Sequence, residues 1–257
     1  MIELKTAAEL DLMARAGAII WKLHEELEHR VAPGVSTAQL DHFAEDFIRS
    51  HDGAVPAFKG LYGFPGSICA SLNEEVVHGI PVENRVLEEG DIISIDVGVT
   101  WDGWCGDSAR TFPVGEVAPE TLRLLEVTRE ALDRAVEAAV PGKHVGDIGH
   151  AVERVVESTG FSIIKDLVGH GIGRKIHEDP QVPNLGRPGE GPRLEAGMVL
   201  AIEPMISAGT HRIRTLADRW TMVTADRSPS AHFEHTVAVT AEGPRILTGA
   251  PASVGAG

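Results

Sequence analysis

Cysteine is scarce in this chain. Cys69 and Cys105 are the only two in 257 residues, and they fit neither a disulfide framework nor a zinc motif, which points to a reducing compartment. Long apolar runs are missing too. Nothing approaches the roughly 18 uninterrupted apolar residues of a membrane span, and the opening Met1-Ile2-Glu3-Leu4-Lys5 leads into no apolar signal core. The expected location is therefore cytoplasmic, with no membrane partner. Basic residues are the scarcer sign: 23 Lys and Arg stand against 38 Asp and Glu, a net charge of −15. An acidic surface argues against general nucleic-acid binding, DNA included. It leaves room for docking to a ribosome through a local basic patch, although no strong Lys/Arg run is present. At 43% hydrophobic and 24% charged, the composition is that of an ordinary globular protein, large enough to need no staples. The length allows one large domain or two small ones.

Glycine, by contrast, clusters where histidine does. In Gly169-His170-Gly171-Ile172-Gly173-Arg174-Lys175-Ile176-His177-Glu178, the glycines argue against a stable helix. A turn or irregular strand that lets backbone approach something closely is expected instead. Alone, the stretch reads equally well as a Gly-rich loop with two surface histidines. The acids elsewhere change that balance. Asp96, Asp107, Glu203 and Glu234 each interrupt an apolar, strand-like run. Acids in such places are costly unless paired or bound to metal, so four of them with a histidine suggest an oxygen-rich metal site.

In chain order, Thr6 and Glu9 form a capping-box pattern, and Leu10, Met13, Ala14, Gly17, Ile20 and Trp21 recur at helical spacing, predicting a helix to about Arg30. Ser36 and Gln39 open a second, with Leu40, Phe43, Phe47 and Ile48 as its buried face. Residues 54–66 read as irregular, followed by a short strand from Ser67 to Leu72. The segment carrying Tyr62, Phe64, Cys69 and His78 could line a pocket, although spacing alone favours ordinary half-buried residues. Next, Ile93, Ile95, Val97 and Val99 alternate with polar or small residues, and Asp102-Gly103 signals a two-residue hairpin turn between Trp101 and Trp104. That turn pairs Gly98 with Asp107 and Asp96 with Ala109. It makes Asp96 and Asp107 diagonal neighbours on one face, about 7–8 Å apart at Cβ. Two converging carboxylates repel unless a proton or cation lies between them.

A helix is expected from Pro119 to Val140, with Leu122, Leu125, Leu132, Val136 and Ala139 on its stripe, and another opening at Asp147. Pro141-Gly142 repeats Pro33-Gly34 at an offset of 108, and Ile148, His150, Glu153 and Val155 then match Leu40, His42, Glu45 and Phe47. Two helices followed by strands, twice over, suggest approximate internal two-fold symmetry. A Pro/Gly-rich loop is expected from Asp179 to Pro192. Strands are expected at Met198–Glu203, Thr221–Thr224 and His232–Thr240, the last alternating Phe233, His235, Val237 and Val239 with His232, Glu234, Thr236 and Ala238.

Taken together, the blocks Ser71-Leu72-Asn73-Glu74 to His78-Gly79-Ile80-Pro81, Asp96-Val97-Gly98 with Asp107, Gly169 to Arg174, His177-Glu178, Ile202-Glu203-Pro204-Met205 and Phe233-Glu234-His235-Thr236 resemble those of type I methionine aminopeptidases, in order and nearly end to end. The resemblance implies a mixed α/β (α+β) pita-bread fold, with pseudo-two-fold αβ halves around a curved antiparallel sheet. It implies one catalytic domain over residues 1–248, and the small, apolar-poor stretch 249–257 reads as a flexible tail. It also implies hydrolytic removal of the initiator methionine from nascent polypeptide N-termini, favouring small second residues, by an enzyme expected to be a monomer. By position, Asp96, Asp107, His170, Glu203 and Glu234 would hold two divalent ions. One nitrogen among four carboxylates favours Mn, Fe or Co over Zn. Glu203 would also shuttle a proton, and His78 and His177 would contact the scissile peptide. Tyr62, Phe64, Cys69, His78, Ile176, His177 and Trp220 would meet the substrate. A monovalent cation, Na or K, is implied near Asn73 and Ser230. Leu61 and Ile176 stand where relatives often carry aromatics, and Asp218-Arg219-Trp220 replaces the usual Asp-Gly-Trp.

Two rivals share that fold. Xaa-Pro aminopeptidases and prolidases usually carry an added N-terminal domain, for which 257 residues leave no room, and a minimal form without N-terminal extension is expected. Non-catalytic binding proteins of this fold usually lose metal ligands, whereas all five are here.

Overall fold

The computed structural model describes residues 2–250, so the expected tail over 249–257 lies, from 251 onward, outside the described residues. Helices α1 (Ala7–Glu28) and α2 (Thr37–Arg49) open the chain. Each starts at a reciprocal capping box: Glu9 N donates to Thr6 Oγ1 and Thr6 N to the Glu9 carboxylate, and Ser36 and Gln39 repeat the exchange. Then come β1 (Ala54–Pro56), a 3₁₀ turn at Leu61–Gly63, β2 (Cys69–Leu72), β3 (Glu75–Val77), β4 (Ile92–Trp101) and β5 (Trp104–Pro113). A second helix pair follows, α3 (Pro119–Ala138) and α4 (Val145–Val156). The chain continues through β6 (Ser162–Ile163), β7 (Val168–Gly171), β8 (Glu178–Pro183), β9 (Val199–Ile202), β10 (Met205–Ser207), β11 (Ile213–Thr215), β12 (Met222–Thr224), β13 (Ser230–His232), β14 (His235–Thr240) and β15 (Gly243–Ile246).

The strands form four sheets, ordered β1-β4-β2 with β5 on β4, β13-β10-β6, β11-β12-β3 and β15-β14-β9-β7-β8. Their pairings are antiparallel. Each helix pair covers its own apolar core. Ile20, Leu23 and Ile48 pack with Ile93, Ile95 and Val97 in the first half. Leu124, Leu132 and Ile148 pack with Leu200, Ile202 and Val237 in the second. A third cluster, including Met13, Phe64, Trp104, Ile172, Ile176 and Val199, draws on both halves. Among the described residues no helix is long and apolar enough to cross a membrane.

The β4–β5 hairpin has the register its turn demands: Trp101 faces Trp104, Gly98 faces Asp107 and Asp96 faces Ala109. Asp102 (φ 48) and Gly103 (φ 78) both take left-handed backbone, which matches the twist of the strands they join.

Several expected boundaries move. Helix α4 starts at Val145, because Asp147 is the third residue of its capping box and accepts from His144 N at 2.8 Å. Leu122, in the first turn of α3, is 43% exposed, and Leu124 takes its place in the core. The loop expected from Asp179 contains β8 despite Pro180 and Pro183. As the outermost strand of its sheet, β8 needs no full set of donors, so proline is tolerated there. Strands β1, β3, β6, β11 and β15 were not anticipated as strands. The two long strands of the second half are each broken, at Glu203-Pro204 and at Phe233-Glu234. Before those breaks and after them the chain serves different sheets: β9 pairs with β14, and β10 with β13.

Candidate metal centre and active site

The two breaks explain how acids come to stand inside apolar strands. Glu203 follows β9 and Glu234 follows β13, each at the residue where the chain leaves one sheet for another. There the ladder is interrupted and a side chain can turn inward without spoiling a paired strand. Asn184 Nδ2 donates to Glu203 O at 2.9 Å and fixes that crossover. Asp96 and Asp107 arrive on the opposite wall from the hairpin.

Hydroxyl groups lace the two halves together beside these acids. Asp107 N donates to Thr236 Oγ1 at 2.9 Å, and Thr236 Oγ1 donates to Asp107 O at 2.8 Å. Thr111 Oγ1 makes the same two-way link to the main chain of His232, at 2.9 Å each way. Ser108 Oγ donates to Glu234 O at 2.7 Å, and Glu234 N donates to Ala109 O at 2.9 Å. The backbone that carries Asp107 in one half and Glu234 in the other is thus held to within a hydrogen bond across the seam.

His170 sits in β7 between two glycines. A Cβ at Gly169 would run into the backbone of Ala201, and one at Gly171 into that of Asp179, so the neighbouring strands close up only around glycine. His170 Nδ1 lies 2.9 Å from Gly171 O. Donation there puts the ring's lone pair on Nε2. That nitrogen faces Glu203 Oε1 at 3.6 Å and Asp107 Oδ2 at 3.9 Å. Donor atoms of Asp107, His170 and Glu234 all lie within 4.8 Å of one another.

Asp96 Oδ1, Asp107 Oδ1 and Glu234 Oε1 are buried without a hydrogen-bond partner. Buried carboxylate oxygens are almost never left so. Burial pushes Asp96 up to about 6 and Glu203 up to about 7. Burial and then neighbouring acids raise Asp107 and Glu234 well above the carboxylate range. Unpaired acids that resist ionising together, facing a histidine lone pair, are the chemistry of a cation site built from hard oxygen donors.

These residues form one end of a cavity of about 760 Å³. Tyr62, Phe64, Cys69, His78, His177 and Trp220 all line it, as do the four acids and the histidine just described. Phe64 meets the edge of Trp220 with centroids 5.2 Å apart, and His78 does so at 6.4 Å. Tyr62, 77% exposed, stacks on His177 at 6.1 Å, and His177 meets His170 edge-on at 4.5 Å. Burial lowers His78 and His177 below the ordinary histidine value, favouring neutral rings. Ile176 is the exception. It is buried in the apolar cluster drawn from both halves and does not line the cavity, so its apolar character answers to packing. Arg219 keeps the turn for which glycine would be usual by adopting φ 68. Asp218 Oδ1 accepts from Trp220 N and Thr221 N, each at 2.9 Å, and Trp220 stays on the cavity wall. Sequence reasoning missed Phe58, Val77, Met205 and His232 as lining residues. For His232 a signal existed: it alternates in phase with Glu234.

The model of metallopeptidase family M24 matches residues 11–241. Methionine aminopeptidase 1 of Bacillus subtilis (strain 168) is 53% identical over 248 residues, covering 96% of this chain and 99% of that protein. The crystal structure of methionine aminopeptidase from Rickettsia prowazekii has a TM-score of 0.94 at 42% identity, covering 96% of this chain and 100% of that one. A prolidase from Pyrococcus horikoshii OT3 has a TM-score of 0.78 at 22% identity. This chain spans only 65% of it, a likeness of fold alone.

Proposed function

Because the chain belongs to metallopeptidase family M24 and, within it, to the methionine aminopeptidases, we propose that it removes the N-terminal methionine from nascent polypeptides, with small second residues preferred. Residues 1–248 act as one catalytic domain. Asp96, Asp107, His170, Glu203 and Glu234 are assigned as the holders of two divalent ions, Mn, Fe or Co before Zn. When bound, such a pair supplies a water of lowered pKa and polarises a carbonyl. The remaining work falls to the chain. Glu203, buried and raised to about 7, is poised to take a proton and return it near neutral pH. His78 and His177, neutral and on the cavity wall, donate to the scissile peptide and to the oxyanion that forms from it. Phe64, Cys69 and Trp220 offer the methionine side chain an apolar wall, and Tyr62 covers His177 at the mouth. Main-chain carbonyls near Asn73 and Ser230 are assigned to one Na or K ion. The enzyme acts as a cytoplasmic monomer, with ribosome docking as its means of meeting nascent chains.

The observation that carries this reading is the set of unpartnered buried oxygens on Asp96, Asp107 and Glu234 beside the cavity. The test is free methionine released from Met-Ala-Ser by EDTA-stripped protein, with Mn, Fe, Co or Zn added back, beside an Ala-Pro peptide. Metal-dependent release from the methionine peptide alone is expected. Cleavage of the Ala-Pro peptide alone would move the chain to the Xaa-Pro branch.

A further inference from the structure

The carboxylate of Glu203 stands between two imidazoles. His170 Nε2 lies 3.6 Å from Oε1, and His232 Nε2 lies 3.5 Å from Oε2. The first is assigned above as a metal ligand. The second has no role in that scheme. His232 is 2% exposed, and its Nε2 is buried without a hydrogen-bond partner. Its main chain is fixed by Thr111 in both directions and by the pairing of β13 to β10 at Met205. A buried ring nitrogen held in place must find a partner in the working protein. The acceptor it faces is Glu203 Oε2.

We propose that His232 is a positioning residue for Glu203: its Nε2–H donates to Oε2, fixing the carboxylate so that Oε1 is presented toward His170 and the cavity. A donor on one oxygen removes the freedom of the carboxylate to rotate and holds the other oxygen toward the cavity. The inference rests on the reading of Glu203 as a working group of this site. A glutamine in place of His232 would put an amide N–H at nearly the same reach, whereas leucine would fill the space and donate nothing.

The test compares His232→Leu and His232→Gln with the wild type, all loaded with Co²⁺. The readouts are kcat and KM on Met-Ala-Ser, and Co²⁺ stoichiometry and affinity by calorimetry. For His232→Leu, kcat is expected to fall about 10- to 100-fold, as for other groups that orient a ligand. Its KM should hold within about two-fold and its Co²⁺ stoichiometry should be unchanged. His232→Gln is expected to recover most of kcat. Wild-type kcat in His232→Leu would overturn the proposal, as would equal loss in both variants or loss of one bound Co²⁺. A crystal structure of the Co²⁺-loaded wild type decides the point even if neither variant folds. Nε2 within about 3 Å of Glu203 Oε2 supports it, and Nε2 about 2.1 Å from an ion overturns it. A wild type that releases no methionine would instead sink the aminopeptidase reading, which these variants do not address.

Discussion

On the proposed reading Glu203 binds metal and moves a proton, and its surroundings suit both tasks. Burial raises it to about 7, and Asn184 holds its main chain. Glu203→Gln should therefore lower kcat about 10²- to 10⁴-fold in a protein that still melts cooperatively. Methionine release and a thermal scan on the same sample check both halves of that statement. Arg219 offers an opposite kind of test. Its φ of 68 puts a branched-chain-free but Cβ-bearing residue in left-handed backbone, which glycine occupies at lower cost. Arg219→Gly should stabilise the protein by about 1 kcal/mol at most, the left-handed cost of roughly 1–2 kcal/mol less about 0.4–1 kcal/mol of added unfolded-chain entropy, read as a higher urea midpoint at unchanged slope. At this scale the acids were legible in the sequence, because one carboxylate in an apolar alternation stands out. His232 was not, although it lies two positions from Glu234. A histidine on a strand face is usually a satisfied half-buried residue, and nothing local says that this strand ends on the far side of Glu203. Ile176 was misplaced for the complementary reason: an apolar residue fits a pocket wall and a packed core equally well.

Among the elements, those with a local code were legible. The capping boxes at Thr6 and Ser36 and the Asp102-Gly103 hairpin are written in a few adjacent residues, and the hairpin register placed Asp96 and Asp107 on one face. Strand β1 is made by a partner far away in sequence, β4, whereas β8 and β15 each pair with the strand just before them, and two prolines disguise β8. The break at Glu203-Pro204 falls where the strand is expected to stop at Pro204, whereas the one at Phe233-Glu234 arises from a change of sheet, which alternation cannot announce. Strand β7 is where an element matters most to the chemistry. A methyl group at Gly171 would meet the backbone of Asp179, so relief requires β7 and β8 to part beside His170. Gly171→Ala is expected to weaken Mn²⁺ binding about 10- to 100-fold, measured by calorimetry, without touching any ligand side chain.

For the whole molecule, the cluster of buried acids sets a dependence on pH that metal should abolish. Asp96 and Glu203 titrate near 6 and 7 when folded and near 4 when unfolded. The folded state therefore holds more protons between those values, and stability falls as pH rises through the window. Below about pH 6.5 the buried neutral histidines His24, His78, His170, His177, His232 and His235 work the other way, so the metal-free protein should lose melting temperature from about pH 6.5 to pH 8. The Mn²⁺-loaded protein should not, because the cation takes the place of those protons; paired scans at each pH decide it. The seam of hydroxyls has a consequence of a different kind. Asp96 and Asp107 lie before the connection at 114–118, and His170, Glu203 and Glu234 after it. A gene divided at that connection would yield two polypeptides, each carrying an incomplete donor set and each blank in an assay. Thr236, Thr111 and Ser108 would supply their mutual recognition. Catalysis would then behave as a logical AND, reporting in released methionine whether two separate molecules had met.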